Sequence, residues 1–428
     1  MSTVIFLTAG YPYGDGETFI ENEIDILADK FNRVIVIATE VAPEVNVVRK
    51  LPDNAISLRI NRKEGNIAKL SSSFVMGRLY LSGKAYKEDW KNRKKFSERK
   101  FILRVEERSW YIWEEIRKSG VLDDIETDEI IVYSYWLLIT ARVGTLIQEQ
   151  SGLQIKHMIS RAHRFDLYEE TSHVGFLPYR KLFFEKYDII ASCSKNGTEY
   201  LDNLRTEKNV DGAKAKVVTA YLGTRDYGVR NTDETEVLRI VSCSHLVPQK
   251  RVERIAIALR KISDTYKIHW IHIGSGSLLP TLVKTIDSLL ETKHIEVNLQ
   301  GALSNSEVIA FYQENPIDVF VNVSSSEGLP VSIMEAMSFG IPVIATNVGG
   351  VSEIIENNVN GFLLECEYED KDLIEKIEEF LRMKRDGKSA SFRKAARATW
   401  EKHFLAEKQY HTFWENLLKR GTCARELK

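Results

Sequence analysis

The stretch IDVFVNVSSSEGLPVSIMEAM, residues 317–337, decides the fold of this chain. Its apolar beginning predicts a buried strand, the small polar residues that follow predict a turn, and the remainder predicts a helix. Gly328 allows the turn to bend and its backbone to approach a ligand closely. Pro330 stands where a helix can begin, because its missing N–H would have no intrahelical partner there. The sequence therefore predicts a strand, a turn and a helix in direct succession.

The same turn offers two kinds of hydrogen-bonding group to a ligand. The first turn of a helix presents free backbone N–H groups and a partial positive charge, which favour phosphate, and Gly328, Leu329 and Val331 carry the amides concerned. Glu327 precedes the helix and Glu335 lies within it, and an ionised carboxylate accepts hydrogen bonds from sugar hydroxyls. Amides for a diphosphate, flanked by acids for two sets of hydroxyls, indicate a nucleotide-sugar site.

The longer run EGLPVSIMEAMSFGIPVIATNVGGVSE, residues 327–353, resembles the donor-site motif of the family-4 retaining glycosyltransferases of GT-B fold. Two glutamates at this spacing occur often by chance, so the similarity depends on the whole run. The resemblance covers nearly the whole chain. It implies an α/β architecture of two doubly wound Rossmann-like domains that face each other across a cleft. The alternative for the run itself is a buried strand–helix unit of any α/β protein, with both acids on a solvated face.

The resemblance also implies a reaction, the transfer of a glycosyl group from a nucleoside diphosphate sugar to a hydroxyl, with retention. Glu335 is expected to hold the ribose diol and Glu327 the donor sugar, while the diphosphate lies at the helix start beside Pro330. No Asp-x-Asp motif accompanies the nucleotide site. We therefore expect a metal-independent enzyme that needs no cofactor and uses the nucleotide sugar as its substrate.

Composition excludes several other classes of protein. The chain has 428 residues and a formal net charge of −2, which suits two or three globular domains and not general nucleic-acid binding. Its four cysteines show no paired spacing, which is typical of a reducing compartment and of a chain without a structural zinc site. The chain lacks the run of about eighteen apolar residues that marks a membrane-spanning helix. Its N-terminus lacks the basic segment of a signal peptide. We therefore expect a cytoplasmic protein, with peripheral contact at the inner face of the membrane left open.

An alternation of strands and helices predicts the first domain, residues 1–225. The turn-rich loop 9–17 follows its first strand, and ligands in such sheets bind beyond the carboxyl ends of the strands. Gly16 is therefore a candidate for contact with the donor phosphates and Gly14 for the acceptor side, as the family's Gly-rich loop also implies. Asp15 separates the two glycines, which in the family are often adjacent. The alternative is a flexible turn that holds no ligand.

Residues 53–122 interrupt the alternation and form a predicted insertion. Between Lys84 and Arg104 the sequence has nine basic and three acidic residues, interleaved with aromatic ones. This pattern is typical of an amphipathic surface that touches anionic lipid or a lipid-linked acceptor. The alternative is a solvated helical insertion whose apolar residues face the core. The aromatic residues concerned are Tyr86, Trp90, Phe96 and Phe101, followed by Trp110, Tyr111 and Trp113, which we expect mainly in the core.

A candidate wall of the reaction centre follows the strand predicted at 155–159. The segment Arg161-Ala162-His163 matches one in the family and supports His163 as a residue that hydrogen-bonds the donor sugar or steadies the leaving phosphate. Asp166 is expected to orient His163 or to bind an acceptor hydroxyl. A lone histidine is more often structural, and this is the alternative.

The second domain, residues 237–388, is expected to begin after a polar linker at 226–236. In the family, the loop after its first strand carries an Arg and a Lys that neutralise the diphosphate. Lys250 matches the Lys and is the candidate for stabilising the leaving group, with a surface lysine as the alternative. His245 stands where the Arg is expected, and a neutral imidazole carries no fixed charge. Either His245 is protonated beside the phosphates or Arg251 assists.

Two features complete the predicted second half of the chain. Gly301 follows a strand in a loop that the family places beside the base, so it is a further candidate for donor binding. A single final helix, about residues 389–418, carries large apolar groups that need a partner surface. The resemblance implies that the C-terminal segment, 389–428, crosses back onto the first domain.

Two kinds of rival function stay open at this point. A nucleotide-sugar epimerase or a phosphorylase can share the same architecture, since fold alone does not decide activity. A non-catalytic subunit that binds nucleotide sugars is the other rival, and its support is the replacement of the expected Arg by His245. The acceptor expected for the transferase is a glycan or a lipid-linked glycan.

Overall fold

A computed structural model describes residues 2–62, 87–125, 129–208, 210, 213–229, 235–262, 266–287 and 294–420. The chain divides into two compact units, Met1–Ala220 and Tyr221–Lys428. The sequence had placed the end of the first domain at Arg225, close to this division.

The first unit is a parallel seven-stranded sheet with the order β3-β2-β1-β4-β5-β6-β7. Its strands are β1 Ser2–Thr8, β2 Arg33–Val41, β3 Ala55–Asn61, β4 Glu129–Ser134, β5 Ile155–Ala162, β6 Ile189–Ser192 and β7 Lys216–Thr219. Its helices are α1 Glu21–Lys30, α2 Lys87–Asn92, α3 Phe96–Ser119, α4 Ile139–Gln150, α5 Arg164–Leu167, α6 Arg180–Lys186 and α7 Lys195–Glu207. The central strands are buried along almost their whole length, as is usual for parallel sheets covered on both faces.

The second unit is a parallel six-stranded sheet with the order β10-β9-β8-β11-β12-β13. Its strands are β8 Leu238–Cys243, β9 Ile268–Ile273, β10 Ile295–Gly301, β11 Val319–Asn322, β12 Val343–Thr346 and β13 Gly361–Leu364. Its helices are α8 Glu253–Arg260, α9 Leu279–Asp287, α10 Asn305–Glu314, α11 Val331–Ser338, α12 Asp370–Arg385, α13 Ser389–His403 and α14 Ala406–Arg420.

Each sheet has one position where the strand order reverses. In the first unit β1 lies between β2 and β4, and in the second β8 lies between β9 and β11. In open α/β sheets such a switch point opens a crevice beyond the carboxyl ends of the strands, where ligands bind. The prediction of two doubly wound Rossmann-like domains is confirmed, and the loops that carry most of the predicted site residues follow strands at or beside these two positions.

The predicted insertion at 53–122 contains a strand as well as helices. It begins with β3, which the sequence analysis did not assign as a strand and which pairs in parallel with β2 at the edge of the sheet. A lone edge strand with mixed burial shows little periodicity, so its pattern was not visible.

The long helix α3 of this segment packs its apolar side into the core of the first unit. Ile102, Val105, Ile112, Trp113 and Ile116 are buried there, and Trp90, Phe101, Trp110 and Tyr111 are partly buried against them. Phe96, by contrast, is 80% exposed. Tyr86 lies outside the described residues. The alternative of a helical insertion facing the core therefore fits most of these side chains.

The expectation of one long terminal helix is wrong, because α13 ends at His403 and α14 begins at Ala406. Between them the chain pairs with Thr224, whose N–H donates to Phe404 O at 2.9 Å and whose carbonyl accepts from Ala406 N at 3.0 Å. The buried Trp400 indole also donates to Thr224 Oγ1 at 2.7 Å. These bonds use the backbone groups that a continuous helix would need. They also dock the terminal helices within the second unit.

Candidate donor site and histidine loop

The loop between β11 and α11 forms the centre of the candidate site on the second unit. The helix begins at Val331 with Pro330 as its N-cap, one residue later than the sequence suggested. Gly349, with φ +56°, packs on this loop so closely that a Cβ atom there would lie 2.0 Å from Glu327 O. Gly350 N donates to Gly328 O at 2.7 Å. The loop after β12 thus fixes the backbone of the turn that precedes α11.

An ion pair joins two of the predicted catalytic residues. Lys250 Nζ lies 2.7 Å from Glu327 Oε1, and Asn322 Nδ2 lies 3.3 Å from the same oxygen. The Glu327 side chain is buried, whereas about a quarter of the Lys250 side chain is exposed. The sequence contained both residues but gave no sign that they pair. Asn322, the last residue of β11, was not singled out at all.

Arg251 holds the backbone of the same loop. Its guanidinium donates to Val323 O at 2.9 Å and to Ser324 O at 3.1 Å. Its own backbone is left-handed, with φ 48°. Ser325 N donates to Gln249 O at 2.8 Å and strengthens the link between the two loops. Through these hydrogen bonds Arg251 holds the β11–α11 loop in place. Its predicted role in neutralising the diphosphate stays a prediction.

Glu335 lies within α11 and is buried. Burial raises the pKa of Glu335 to about 7, against an ordinary value of 4.5. The opposing influence is Asn305, whose Nδ2 donates to Glu335 Oε1 at 2.6 Å and favours the charged form. Asn305 opens α10, and nothing in its local sequence singled it out. A carboxylate with one oxygen engaged keeps its other oxygen available for hydroxyl donors.

The loops after β8, β9 and β10 lie against one another beside this centre. A Cβ atom at Gly274, which has φ +144°, would lie 1.9 Å from Ser244 O, so only glycine allows this approach. Gly274 N also donates to Gly301 O at 2.7 Å, and Gly301 itself has φ +73°. His245 is exposed in the β8 loop. The structure thus brings the loops of Lys250, His245 and Gly301 together with the turn at Glu327.

On the first unit, His163 directly follows β5 and is the N-cap of α5. Its ring centroid lies 4.7 Å from that of Trp136, 5.1 Å from that of Tyr135 and 5.8 Å from that of Phe19. Burial, followed by the charge of Arg161, lowers the pKa of His163 to about 3. The imidazole is therefore neutral at physiological pH. Its Nε2 atom is buried and has no hydrogen-bond partner among the described residues.

Asp166 supports the backbone around His163. One carboxylate oxygen accepts from His163 N at 2.6 Å, and the other accepts a short hydrogen bond from Leu137 N. Burial raises the pKa of Asp166 to about 7, although these amides and the nearby Arg180 favour the ionised form. Both oxygens are thus engaged with backbone amides. The position suits the predicted orienting role, which acts through the main chain.

Gly14 and Gly16 lie in the loop after β1. Gly14 has φ +70°, and a Cβ atom there would lie 3.1 Å from Val45 Cγ1. Gly14 N donates to Val47 O at 2.9 Å, so its amide is engaged within the unit. Gly16 is exposed, and its carbonyl accepts from Arg49. Their predicted ligand contacts stay predictions.

The described residues also bear on metal binding, on the state of the cysteines and on membrane-spanning helices. Across the described ranges, no group of three His, Cys, Asp or Glu side chains is placed to hold a metal ion. Cys193, Cys243 and Cys366 are not joined to one another by disulfide bonds. None of the helices in the described part of the chain has the length and apolar character needed to cross a bilayer.

The chain is similar in sequence to known glycosyltransferases. Residues 229–399 match the family model of glycosyl transferases group 1. An uncharacterised glycosyltransferase of Methanocaldococcus jannaschii is 28% identical over 261 residues, which are 60% of this chain and 67% of that protein. The O-antigen biosynthesis glycosyltransferase WbnH of Escherichia coli is 29% identical over 186 residues, 42% of this chain and 49% of WbnH. The chain thus matches only about half the length of WbnH.

Solved structures share the fold of this protein along nearly its whole length. HepE of Anabaena, crystallised with UDP, superposes with a TM-score of 0.65 at 15% identity and covers 98% of this chain and 100% of HepE. The fold is GT-B. The family match to residues 229–399 and the named relatives support a glycosyltransferase.

Proposed function

We propose that this chain transfers a sugar from a nucleoside diphosphate sugar to a hydroxyl of a glycan or lipid-linked acceptor, with retention of configuration. One observation carries the proposal. The Lys250–Glu327 ion pair lies in the loops that meet at the start of α11, and the buried Glu335 lies in that helix. A cation, the amides of a helix start and two carboxylates are the groups that a diphosphate between two rings requires.

Each group has a role in the proposed reaction. Negative charge grows on the departing diphosphate, and Lys250 and the amides of Gly328, Leu329 and Val331 stabilise it where it develops. Glu327 accepts hydrogen bonds from the donor sugar, and Glu335 accepts them from the ribose diol. His163, which is neutral, is the candidate on the first unit for a hydrogen bond to the transferred sugar.

We propose retention of the anomeric configuration because the donor motif resembles that of a family of retaining enzymes. In the proposed step the acceptor oxygen bonds to the anomeric carbon on the face from which the diphosphate leaves, and the acceptor proton passes to the leaving phosphate oxygen. Neither Glu327 nor Glu335 serves as a nucleophile, because both are better used as acceptors for hydroxyl groups. We propose a reaction without a metal ion, so that activity survives a chelator.

The acceptor is the least constrained part of the proposal. WbnH is named for O-antigen biosynthesis, and this favours a growing glycan. For contact with an anionic membrane we propose the start of α3, where Phe96 is exposed beside Lys94 and Lys95. Phe96→Ser should reduce sedimentation of the protein with anionic vesicles and leave turnover of a soluble acceptor unchanged.

Turnover assays separate the proposal from its rivals. The protein is incubated with UDP-sugars, for which the complex of HepE with UDP-glucose is the precedent, with and without glycan acceptors. The expected result is an acceptor-dependent product whose anomeric proton shows the configuration of the donor. Conversion without an acceptor indicates an epimerase, a need for inorganic phosphate indicates a phosphorylase, and an intact donor in every mixture indicates a binding subunit.

A further inference from the structure

The carboxylate of Glu17 is held by an unusual set of donors in the loop after β1. It accepts hydrogen bonds from three consecutive backbone amides, those of Ala9 at 3.1 Å, Gly10 at 2.6 Å and Tyr11 at 2.7 Å. It also accepts one from the indole Nε1 of Trp136 at 2.6 Å. Four N–H groups thus converge on the two oxygens of one side chain, and charge-assisted bonds of this type are stronger than neutral ones.

The backbone of Glu17 takes a conformation that its side chain does not favour. Its φ is 53°, in the left-handed region where residues other than glycine are uncommon. Glu17 O also accepts from Ile20 N at 3.0 Å and starts the helical turn Thr18–Ile20. The four hydrogen bonds to the carboxylate explain why a glutamate is held in this conformation, and they close the loop 9–17 on itself.

Trp136 connects this carboxylate to the candidate histidine. It follows β4 and its ring is 4.7 Å from the ring of His163, measured between centroids. Phe19, two residues after Glu17, lies 6.2 Å from Trp136 and 5.8 Å from His163. Three aromatic rings, those of Phe19, Tyr135 and Trp136, therefore surround the imidazole. Glu17 is hydrogen-bonded to Trp136 and lies two residues before Phe19.

The orientation of the imidazole depends on this packing. The Nε2 atom of His163 has no hydrogen-bond partner among the described residues, so no bond at that atom fixes the plane of the ring. Asp166 accepts a hydrogen bond from the amide N–H of His163 and so fixes its backbone. A hydrogen bond between the imidazole and the backbone of Tyr135, the residue before Trp136, acts together with the flanking rings and with the Glu17 carboxylate that holds Trp136 to set the direction of Nε2.

We propose that Glu17 is a positioning residue for His163. Its carboxylate clamps the loop 9–17 to the indole of Trp136 and thereby keeps Nε2 of the imidazole pointing in one direction. The consequence for turnover rests on the proposed function, in which His163 contacts the transferred sugar. The consequence for the orientation of the ring does not depend on it.

Steady-state kinetics test the link to turnover. Glu17→Gln keeps the size of the side chain but removes its charge and turns an amide group towards N–H donors. We expect kcat to fall by about 100-fold, the scale of a misplacement of about 1 Å, with little change in KM for the donor. In a His163→Ala background, Glu17→Gln should lower kcat by less than about threefold, because the residue through which it acts is already gone.

Nuclear magnetic resonance tests the orientation of the ring without any turnover. The Cε1–H signal of His163, assigned by its loss in His163→Ala, should be displaced from the ordinary imidazole position by the ring currents of the three aromatic rings. Glu17→Gln should move this signal towards the ordinary position. Trp136→Phe, which removes the indole N–H, should move it in the same direction. Glu17→Asp, which keeps the charge, serves as the variant if the Gln protein does not fold.

Glu21→Gln is the matched control. Glu21 lies four residues further along the chain and pairs with Arg49 at 2.8 Å, and its side chain is 43% exposed. This variant should leave kcat and the His163 signal unchanged. The proposal is overturned if the signal in Glu17→Gln stays where it is in the wild type. It is also overturned if Glu17→Gln reduces kcat as strongly in the His163→Ala background as in the wild type. Absence of transfer by the wild type defeats the proposed function instead, and the signal then decides the positioning role alone.

Discussion

Lys250 Nζ lies 2.7 Å from Glu327 Oε1, so the cation to which we assign the diphosphate and the carboxylate to which we assign the sugar neutralise each other. Replacing either residue leaves the other charged group without its partner, and the Glu327 side chain is buried. We expect Lys250→Met and Glu327→Gln each to lower kcat by about 100-fold or more, in line with the loss of one group that stabilises developing charge.

Stability provides a second measurement on the same pair. The double variant should lose less thermal stability than the two single variants added together, because residues in contact are not additive. Lys261→Met is the control, since Lys261 is 55% exposed and pairs with Asp370 in the same unit. It should leave kcat unchanged. Wild-type turnover in Lys250→Met would remove Lys250 from the mechanism.

Glu335 predicts a pH dependence of donor binding. Burial raises its pKa to about 7, and protonation turns one carboxylate oxygen into a donor and weakens the group as an acceptor for hydroxyl hydrogen bonds. Affinity for UDP-glucose, whose phosphates do not titrate in this range, should be constant above pH 7 and weaken by about tenfold for each unit below it. Calorimetric titration between pH 5 and pH 8 measures this. Glu335→Gln should bind weakly at every pH, and a slope that persists in that variant would assign the titration to another group.

The same shift predicts how stability changes with pH. The folded state binds a proton at Glu335 up to about pH 7, while an ordinary glutamate releases it near 4.5. Stability therefore falls as pH rises through this window, by about 3 kcal/mol from this group at pH above 7. Asp166 changes in the same direction, so the effect must be isolated by difference. Glu335→Gln should match the wild type in thermal unfolding at pH 5 and exceed it at pH 8.

His163 should remain neutral across the physiological range. Its pKa is lowered to about 3 by burial and by Arg161, so the Cε1–H signal of His163 should not move between pH 5 and pH 8. A midpoint near pH 6.5 for His163 would show that the imidazole is accessible to water and that the packing described for it is incomplete.

Gly349 supports the β11–α11 loop through a close backbone contact that a side chain at this position would block. A Cβ atom at this position would lie 2.0 Å from Glu327 O, and φ is also positive. Gly387→Ala is the matched control, because Gly387 has φ +72° and open space around it. That control should cost about 1–2 kcal/mol from backbone strain alone. Gly349→Ala should cost more and lower affinity for UDP-glucose at least tenfold, because the turn before α11 must shift. Equal effects of the two variants on affinity would contradict this role.

The sequence by itself determined the class of fold and the centre of the candidate donor site. Buried parallel strands leave continuous apolar runs, and the turn at 324–330 carries its glycine, proline and glutamate within a few residues. Each of these patterns lies within a few consecutive residues and acts through local backbone geometry, so it can be recognised from the sequence alone. On the first unit the sequence indicated candidates at the ends of two strands, Gly14 and Gly16 after the first and His163 with Asp166 after the strand at 155–159.

Tertiary structure alone decided which distant groups meet. The pairing of Lys250 with Glu327, the contact of Asn305 with Glu335 and the clamp of Glu17 on Trp136 each join residues that are far apart in the sequence. It also decided that the terminal helix breaks to pair with Thr224 and that Glu335 holds its proton to about pH 7. Both kinds of effect depend on which surfaces exclude water and which backbone groups find partners. Those are properties of the packed chain, and no local sequence pattern encodes them.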